Sequence, residues 1–334
     1  MIGFISTWDP LVKIREFLKN IRINPTVSRI VILSQHEWAY HQFINLTAGF
    51  EQIVSAAKDL PIDVIVGGHS SSPLCHDISN PKYKNVTVHY WPTFWMTMFG
   101  CSSPGHMVPQ PIDKLFCLLN GNAHRYRCLT MDLLCRDNLL DKGYISWYDF
   151  STTEGYSFKH WTPVKLTLDT FSNSRNLFTV PAEFSSAFVN IVSESNMLPY
   201  FLTEKTTKPL YYKKPFLVVS KHGFHTKFLT ELGFKLYDEI FDYSFDIITD
   251  QDNRVEAVVQ EIKRFENYSI AHLQELTAQI EHKLEFNRKH LLSLMYDVNI
   301  WPKIILDLLN NEYFQTNNNL PVMYDYCKKI KENL

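Results

Sequence analysis

Short β-branched apolar runs, each closing on polar or glycine residues, constrain the fold of this chain more than any other feature. Three stand in its first third: "SRIVILSQ" (28–35), "PIDVIVGG" (61–68) and "NVTVHYW" (85–91). They are too short for core helices and read as strands buried on both faces, as in a parallel sheet. Between the first two, Phe50, Ile53, Val54, Ala57 and Leu60 recur at helical spacing. Strand, helix, strand is the rhythm of a doubly wound α/β sheet.

The rhythm returns further along. "KLFCLLNGN" (114–122), "SAFVNIVSES" (186–195) and "PFLVVSKHG" (215–223) read as three more strands. "RCLTMDLLCRDNLLDKG" (127–143) reads as a helix closed by Gly143, and "HTKFLTELGF" as a short helix ending at Gly233. Beyond Asp252 the pattern turns helical: "NRVEAVVQEIKRF" (253–265), then 269–295, with Ile270, Leu273, Leu276, Ile280, Leu284 and Leu291 as an intermittent stripe. The stretch 152–176 carries no clear period. A Gly/Ser/Pro-rich loop, "GCSSPGHMVPQP" (100–111), separates the halves. The expected layout is two Rossmann-like α/β domains, 1–105 and 106–250, followed by a helical C-terminal region, 251–334.

With 334 residues, 45% hydrophobic and 20% charged, the chain can bury substantial cores. A net charge of −2 disfavours a general nucleic-acid binder, without removing a local basic groove. The six cysteines form no CxxC pair and no zinc-finger spacing, so reduced, structural roles are expected. The N-terminus lacks the pattern of a signal peptide and no run is long enough to span a membrane, so a cytoplasmic chain with no membrane span is expected.

Function concentrates in "YFLTEKTTKPL" (200–210). Thr203 suits a helix N-cap, which puts Glu204 and Lys205 in the first turn, beside free backbone donors and the positive end of the dipole. Such an end at a strand's C-terminal edge binds anions, diphosphates among them. Lys205 would meet a phosphate oxygen, and Glu204 would accept from ribose hydroxyls. The same residues also read as a capped helix with a solvated Glu–Lys pair. Pro209 demands either a kink or a separate first turn.

The segment "FVNIVSES…YFLTEKTTKPLYYKKPFLVVSKHG" resembles the donor-binding region of the alpha-1,3-fucosyltransferases, and glycosyltransferase-like proteins of phages, algal viruses and bacteria with a "TEKT-x-KP" core. Over about residues 114–246, Glu194 matches the glutamate of a Phe-Glu-Asn step, whose asparagine is Ser195 here. Thr203, Glu204 and Lys205 match directly, and Phe201 stands where a tyrosine is usual. The resemblance implies a GT-B-like fold, with an N-terminal acceptor domain and a C-terminal donor domain. It also implies an inverting transfer from a nucleoside-diphosphate sugar, GDP-linked by analogy, to a glycan or other hydroxyl acceptor, with no cofactor and no metal. Glu194, Thr203, Glu204 and Lys205 then hold the nucleotide, and Arg127, with Arg125 beside it, meets the diphosphate. The general base is expected in the N-terminal domain, where Glu37 is the first choice and His36, His69 and Asp77 compete.

Other readings stay open. Asp250-Gln251-Asp252 is a D-x-D pair of the kind metal-dependent transferases use, but its place suits a helix cap by Asp252 or Asn253. "GGHSSS" (67–72) lacks phosphate-loop spacing. The aromatics of 89–99 suit either an acceptor platform or a buried strand. A non-catalytic nucleotide-binding accessory protein and transfer onto nucleic-acid bases are the rival functions.

Overall fold

The structure, a computed structural model, describes residues 2–6, 27–34, 54–55, 57, 59–66, 84–91, 97, 107, 110–147, 154–168, 180–194, 200, 202–309 and 320–332. The chain divides into two compact units, Met1–Met98 with Leu198–Leu202 and Met295–Leu334, and Phe99–Met197 with Thr203–Leu294. The expected helical region is thus shared: 251–294 belongs to the second unit and 295–334 to the first.

The first unit holds a sheet of four strands, β1 (Ile2–Ser6), β2 (Arg29–Ser34), β3 (Ile62–Val66) and β4 (Val86–Tyr90), paired in sequence order. All three pairings are parallel. The apolar runs that predicted β2 and β3 supply its core: Ile30, Val31, Ile32, Ile62, Val64 and Ile65 are all buried. Asp63 is the exception inside β3, and its carboxylate is met on both sides, by Arg29 Nε and His89 Nε2, each at 2.7 Å. A carboxylate at 2% exposure is tolerable only with such partners. Trp91 is buried against Trp301, ring centroids 4.7 Å apart, which gives this member of the 89–99 cluster a core role. Among the described residues no helix is long and apolar enough to cross a membrane.

The second unit is built on β5 (Lys114–Asn120), β6 (Gly143–Trp147), β7 (Ala187–Ser193) and β8 (Phe216–Val219), all parallel, in the order β6-β5-β7-β8. Helix α1 (Arg125–Arg136) follows β5, the short α2 (Ala182–Ser186) precedes β7, and α3 (Glu204–Tyr211) joins β7 to β8. Helix α4 (Gln251–Lys263) packs on α1, and Phe265 just beyond it stacks against Phe188 of β7 at 5.3 Å. Next come α5 (Ile270–Gln279) and α6 (Glu281–Tyr296). The intermittent stripe over 269–295 is divided between these two helices at Ile280, which closes α5 and is fully buried.

Gly143 has a different role from the expected helix cap. Helix α1 ends at Arg136, and Gly143 opens β6, opposite Phe116 of β5. A Cβ on Gly143 would lie 2.2 Å from the Phe116 ring, so only glycine lets β6 reach its pairing distance over that side chain. Gly233, in contrast, sits at φ +90 in the left-handed region, as the end of the helical segment before it requires.

Candidate functional site

The strand order of the second sheet sets the position of the site. The chain steps from β5 to β6 on one side, then returns past β5 to place β7 on the other. Ligands of open α/β sheets bind beyond the carboxyl ends of the strands at such a reversal, here between β5 and β7. Among the described strands the first sheet runs in one direction only and offers no reversal.

Helix α3 leaves the end of β7 as the sequence anticipates. Thr203 is its N-cap, with its hydroxyl accepting from Lys205 N at 3.1 Å. The same hydroxyl donates to the Glu194 carboxylate at 2.8 Å, and Thr206 Oγ1 donates to it at 2.7 Å. Glu194 and Thr203 are buried, so they tie the start of α3 to the end of β7 and fix the direction of its first turn. Burial pushes the Glu194 carboxyl above its usual range, with Lys205 and the Thr206 hydroxyl pulling it back in part.

Glu204 and Lys205 are the partly open members of this group, with side chains 22% and 23% exposed. Lys205 Nζ lies 3.0 Å from Glu204 Oε1 and 3.9 Å from Glu194 Oε2. Burial works to raise the Glu204 carboxyl, but Lys205 outweighs it and the net shift is downward, so Glu204 stays ionised. Its second oxygen, Oε2, is buried with no hydrogen-bond partner among the described residues. Burial lowers Lys208, against the pull of Glu204.

Pro209 lies inside α3, which is a single helix from Glu204 to Tyr211, so its first turn is not a separate one. Pro209 is the sixth residue, beyond the four N–H groups that need no partner within a helix, so the Lys205 carbonyl loses its helical donor. Thr207 secures the turn before it, donating from both N and Oγ1 to the Thr203 carbonyl.

The two arginines differ in depth and in partners. Arg127 is 3% exposed, and its Nη1 and Nη2 donate to the backbone carbonyls of Asn122 (3.1 Å) and Ser193 (3.0 Å). It therefore clamps the ends of β5 and β7 together across the reversal. Arg125 is the more open of the pair and makes a bidentate contact with Asp252 at 2.5 and 2.7 Å. Asp250 caps α4 by accepting from Asn253 N, in place of the Asp252 or Asn253 cap expected, so the D-x-D pair is divided between a cap and an arginine. Among the described residues no cluster of three or more His, Cys, Asp or Glu is placed to hold a metal.

Glu154 is a further member that the sequence did not single out. It adopts φ +49 and presents its carboxylate to the start of α1, accepting from Arg125 N at 3.0 Å with its other oxygen 2.7 Å from His124 Nδ1. The Glu154-Gly155 step, a turn in the left-handed region, was its only local signal. Asp132 of α1 anchors the loop that carries it, through the amides of Lys159, His160 and Trp161 and the Tyr156 hydroxyl. Around the reversal the strand-end side chains of Asn120, Ser193 and Ser220 are buried, and their polar atoms have no partner among the described residues. Glu37, its competitors His36, His69 and Asp77, and also Ser195 and Phe201, lie outside the described residues.

No family model, no curated protein and no solved structure matches this chain.

Proposed function

We propose that this chain is a GT-B-type glycosyltransferase, similar to the alpha-1,3-fucosyltransferases, with its nucleotide-sugar donor bound by the second unit. The observation that carries the reading is the Glu204–Lys205 pair in the first turn of α3, fixed by the Glu194–Thr203–Thr206 contacts beside the β5/β7 reversal. An ionised, partly exposed Glu204 suits paired ribose hydroxyls as their acceptor. Lys205 and the helix N-terminus suit a diphosphate.

In transfer, the bond between the sugar's anomeric carbon and the diphosphate oxygen breaks, and negative charge grows on the leaving phosphate. Lys205 and the N-terminal amides of α3 stabilise that charge, with no metal ion needed in this reading. Arg125 joins them if it leaves Asp252 when the donor binds, whereas Arg127 holds the two strand ends in place. The acceptor hydroxyl attacks from the opposite face and loses its proton to a base, for which Glu37 remains the candidate. The donor is a nucleoside-diphosphate sugar, GDP-linked by resemblance, and the acceptor is a glycan or another hydroxyl compound.

The test is release of free nucleoside diphosphate from a panel of nucleotide sugars, with Glu204→Ala beside the parent protein. Release from one donor, cut at least tenfold in the variant, supports the proposal. Binding of a donor without release, even with acceptor glycans present, would point to the accessory-protein reading, and release insensitive to Glu204→Ala would refute the site.

A further inference from the structure

The ionic part of the site is built from charged residues that already hold one another, but two uncharged side chains at its base make no hydrogen bond among the described residues. Asn120 ends β5 and Ser193 ends β7, the two strands on either side of the reversal. The parallel register runs Phe116 with Val189, Cys117 with Asn190 and Leu118 with Ile191; continued by two residues it sets Asn120 beside Ser193 on one face of the sheet. Arg127 bridges the chain at the same two strand ends by bonding both the Asn122 and the Ser193 carbonyls. Asn120 is 1% and Ser193 3% exposed, and the orphaned atoms are both amide atoms of Asn120 and Oγ of Ser193.

Unpaired polar atoms at this depth work against folding, since each loses its water without recovering a bond. Three of them together, at the place where α/β sheets take ligands, are what a binding site retains at the expense of stability. Apolar residues of similar size would fill the same space at lower cost. The chemistry of the pair is also specific. An amide supplies donors and an acceptor, a hydroxyl supplies one of each, and neither carries charge. The group that satisfies every atom of this pair is a neutral one with a donor and an acceptor side by side; a phosphate, which only accepts, would leave the Asn120 amide oxygen unpaired.

We propose that Asn120 and Ser193 form an uncharged subsite for such a group of the ligand, either the edge of a nucleobase or a pair of sugar hydroxyls. This rests on the nucleotide-sugar reading above and adds the residues that select the neutral part of the donor. Both side chains are interior, so only one edge of the ligand is assigned to them, with its diphosphate assigned to Lys205.

The experiment compares the full chain with Asn120→Leu and, as a smaller change that keeps the backbone and packing, Ser193→Ala. Thermal unfolding without ligand is read first. The proposal predicts that relieving the unpaired atoms raises the midpoint of at least one variant by about 2–4 °C; a fall in both would show structural groups bridged by ordered water and would overturn it. Thermal shifts are then read with GDP, UDP, CDP, ADP and dTDP, and with inorganic diphosphate and ribose 5-phosphate. Loss of base preference in the variants, with diphosphate binding kept, assigns the base edge. A uniform tenfold weakening of all nucleotides together with loss of ribose 5-phosphate binding assigns the hydroxyl pair. Nucleotide binding unchanged in both variants overturns the subsite while leaving the nucleotide reading intact. If the parent protein binds none of these compounds, the nucleotide reading fails, and the ligand-free midpoints alone decide the subsite.

Discussion

Asp132→Asn is the perturbation whose consequences the structure specifies most fully. The Asp132 side chain is buried on α1 and takes four donors: Lys159 N (3.1 and 3.0 Å to its two oxygens), His160 N (2.7 Å), Trp161 N (2.8 Å) and the Tyr156 hydroxyl (3.0 Å). These contacts hold the loop that delivers Glu154 to the start of α1, and the Trp147–Phe158–Trp161 cluster packs over it. An asparagine keeps one acceptor oxygen, but in either orientation its amide confronts a backbone N–H. Hydrogen bonds to a charged group contribute about 1.5–3 kcal/mol each, and an orphaned buried donor costs about 1–3. With the surviving bonds only weakened, the expected loss is about 3 kcal/mol at neutral pH. Burial works to raise the Asp132 carboxyl, yet the three amides and the tyrosine outweigh it, and the folded pKa lies below the ordinary value. The carboxylate's stabilisation is therefore complete above the unfolded pKa of about 4 and fades as pH falls through the lower folded one. Urea unfolding of parent and variant at pH 7 and near pH 3 tests both parts, with amide exchange at Lys159, His160 and Trp161 as the local readout. The variant should lose most at pH 7, and the gap should narrow in acid. A loss below about 0.5 kcal/mol at pH 7, or one equally large at both pH values, would refute the reasoning.

Gly143→Ala should cost about 1–3 kcal/mol from overpacking against Phe116, seen as a lowered unfolding midpoint, and Phe116→Leu added to it should recover part of the loss. Lys214 is buried, with its Nζ donating to the Ser185 carbonyl at 2.9 Å, and burial pushes its pKa down to about 8. Stability should therefore rise with pH from about 8 toward the unfolded lysine value near 10.4, and Lys214→Met should flatten that slope in a pH series of denaturation curves. Asp252→Asn breaks the Arg125 pair, but both side chains are well exposed, so a stability change under about 1 kcal/mol is expected by denaturant titration.

The strands are legible in sequence wherever both faces are buried, because continuous apolar runs such as "RIVILS" and "FLVV" leave little else to read. β6 is not: "GYISW" is short, and Gly143 mimics a helix stop when its real partner, the Phe116 ring, is 27 residues away. β1 escapes pattern reading because "IGFIS" is only five residues long and is interrupted by glycine. The Thr203 cap is a local event, i to i+2, and local pattern finds it. Glu154 with His124, and Asp132 with the 159–161 amides, bridge 27 to 30 positions and leave no periodic trace. Arg127 and Arg125 are two residues apart on one helix turn, so sequence offers both for the ligand; depth separates them, and the deeper one is held by backbone carbonyls. Asn120 and Ser193 read as ordinary strand ends until the sheet order puts them together.

Whether the start of α3 binds a nucleoside diphosphate decides the central claim most directly. The measurement is calorimetric titration of the full chain with GDP, UDP, CDP, ADP and dTDP without added metal, repeated on Lys205→Ala. One nucleotide should bind clearly, and the variant should bind it at least tenfold more weakly with its unfolding midpoint little changed, since Lys205 is partly open. Binding of that nucleotide with equal affinity by Lys205→Ala, or no binding of any of the five by the parent protein, would contradict the central claim.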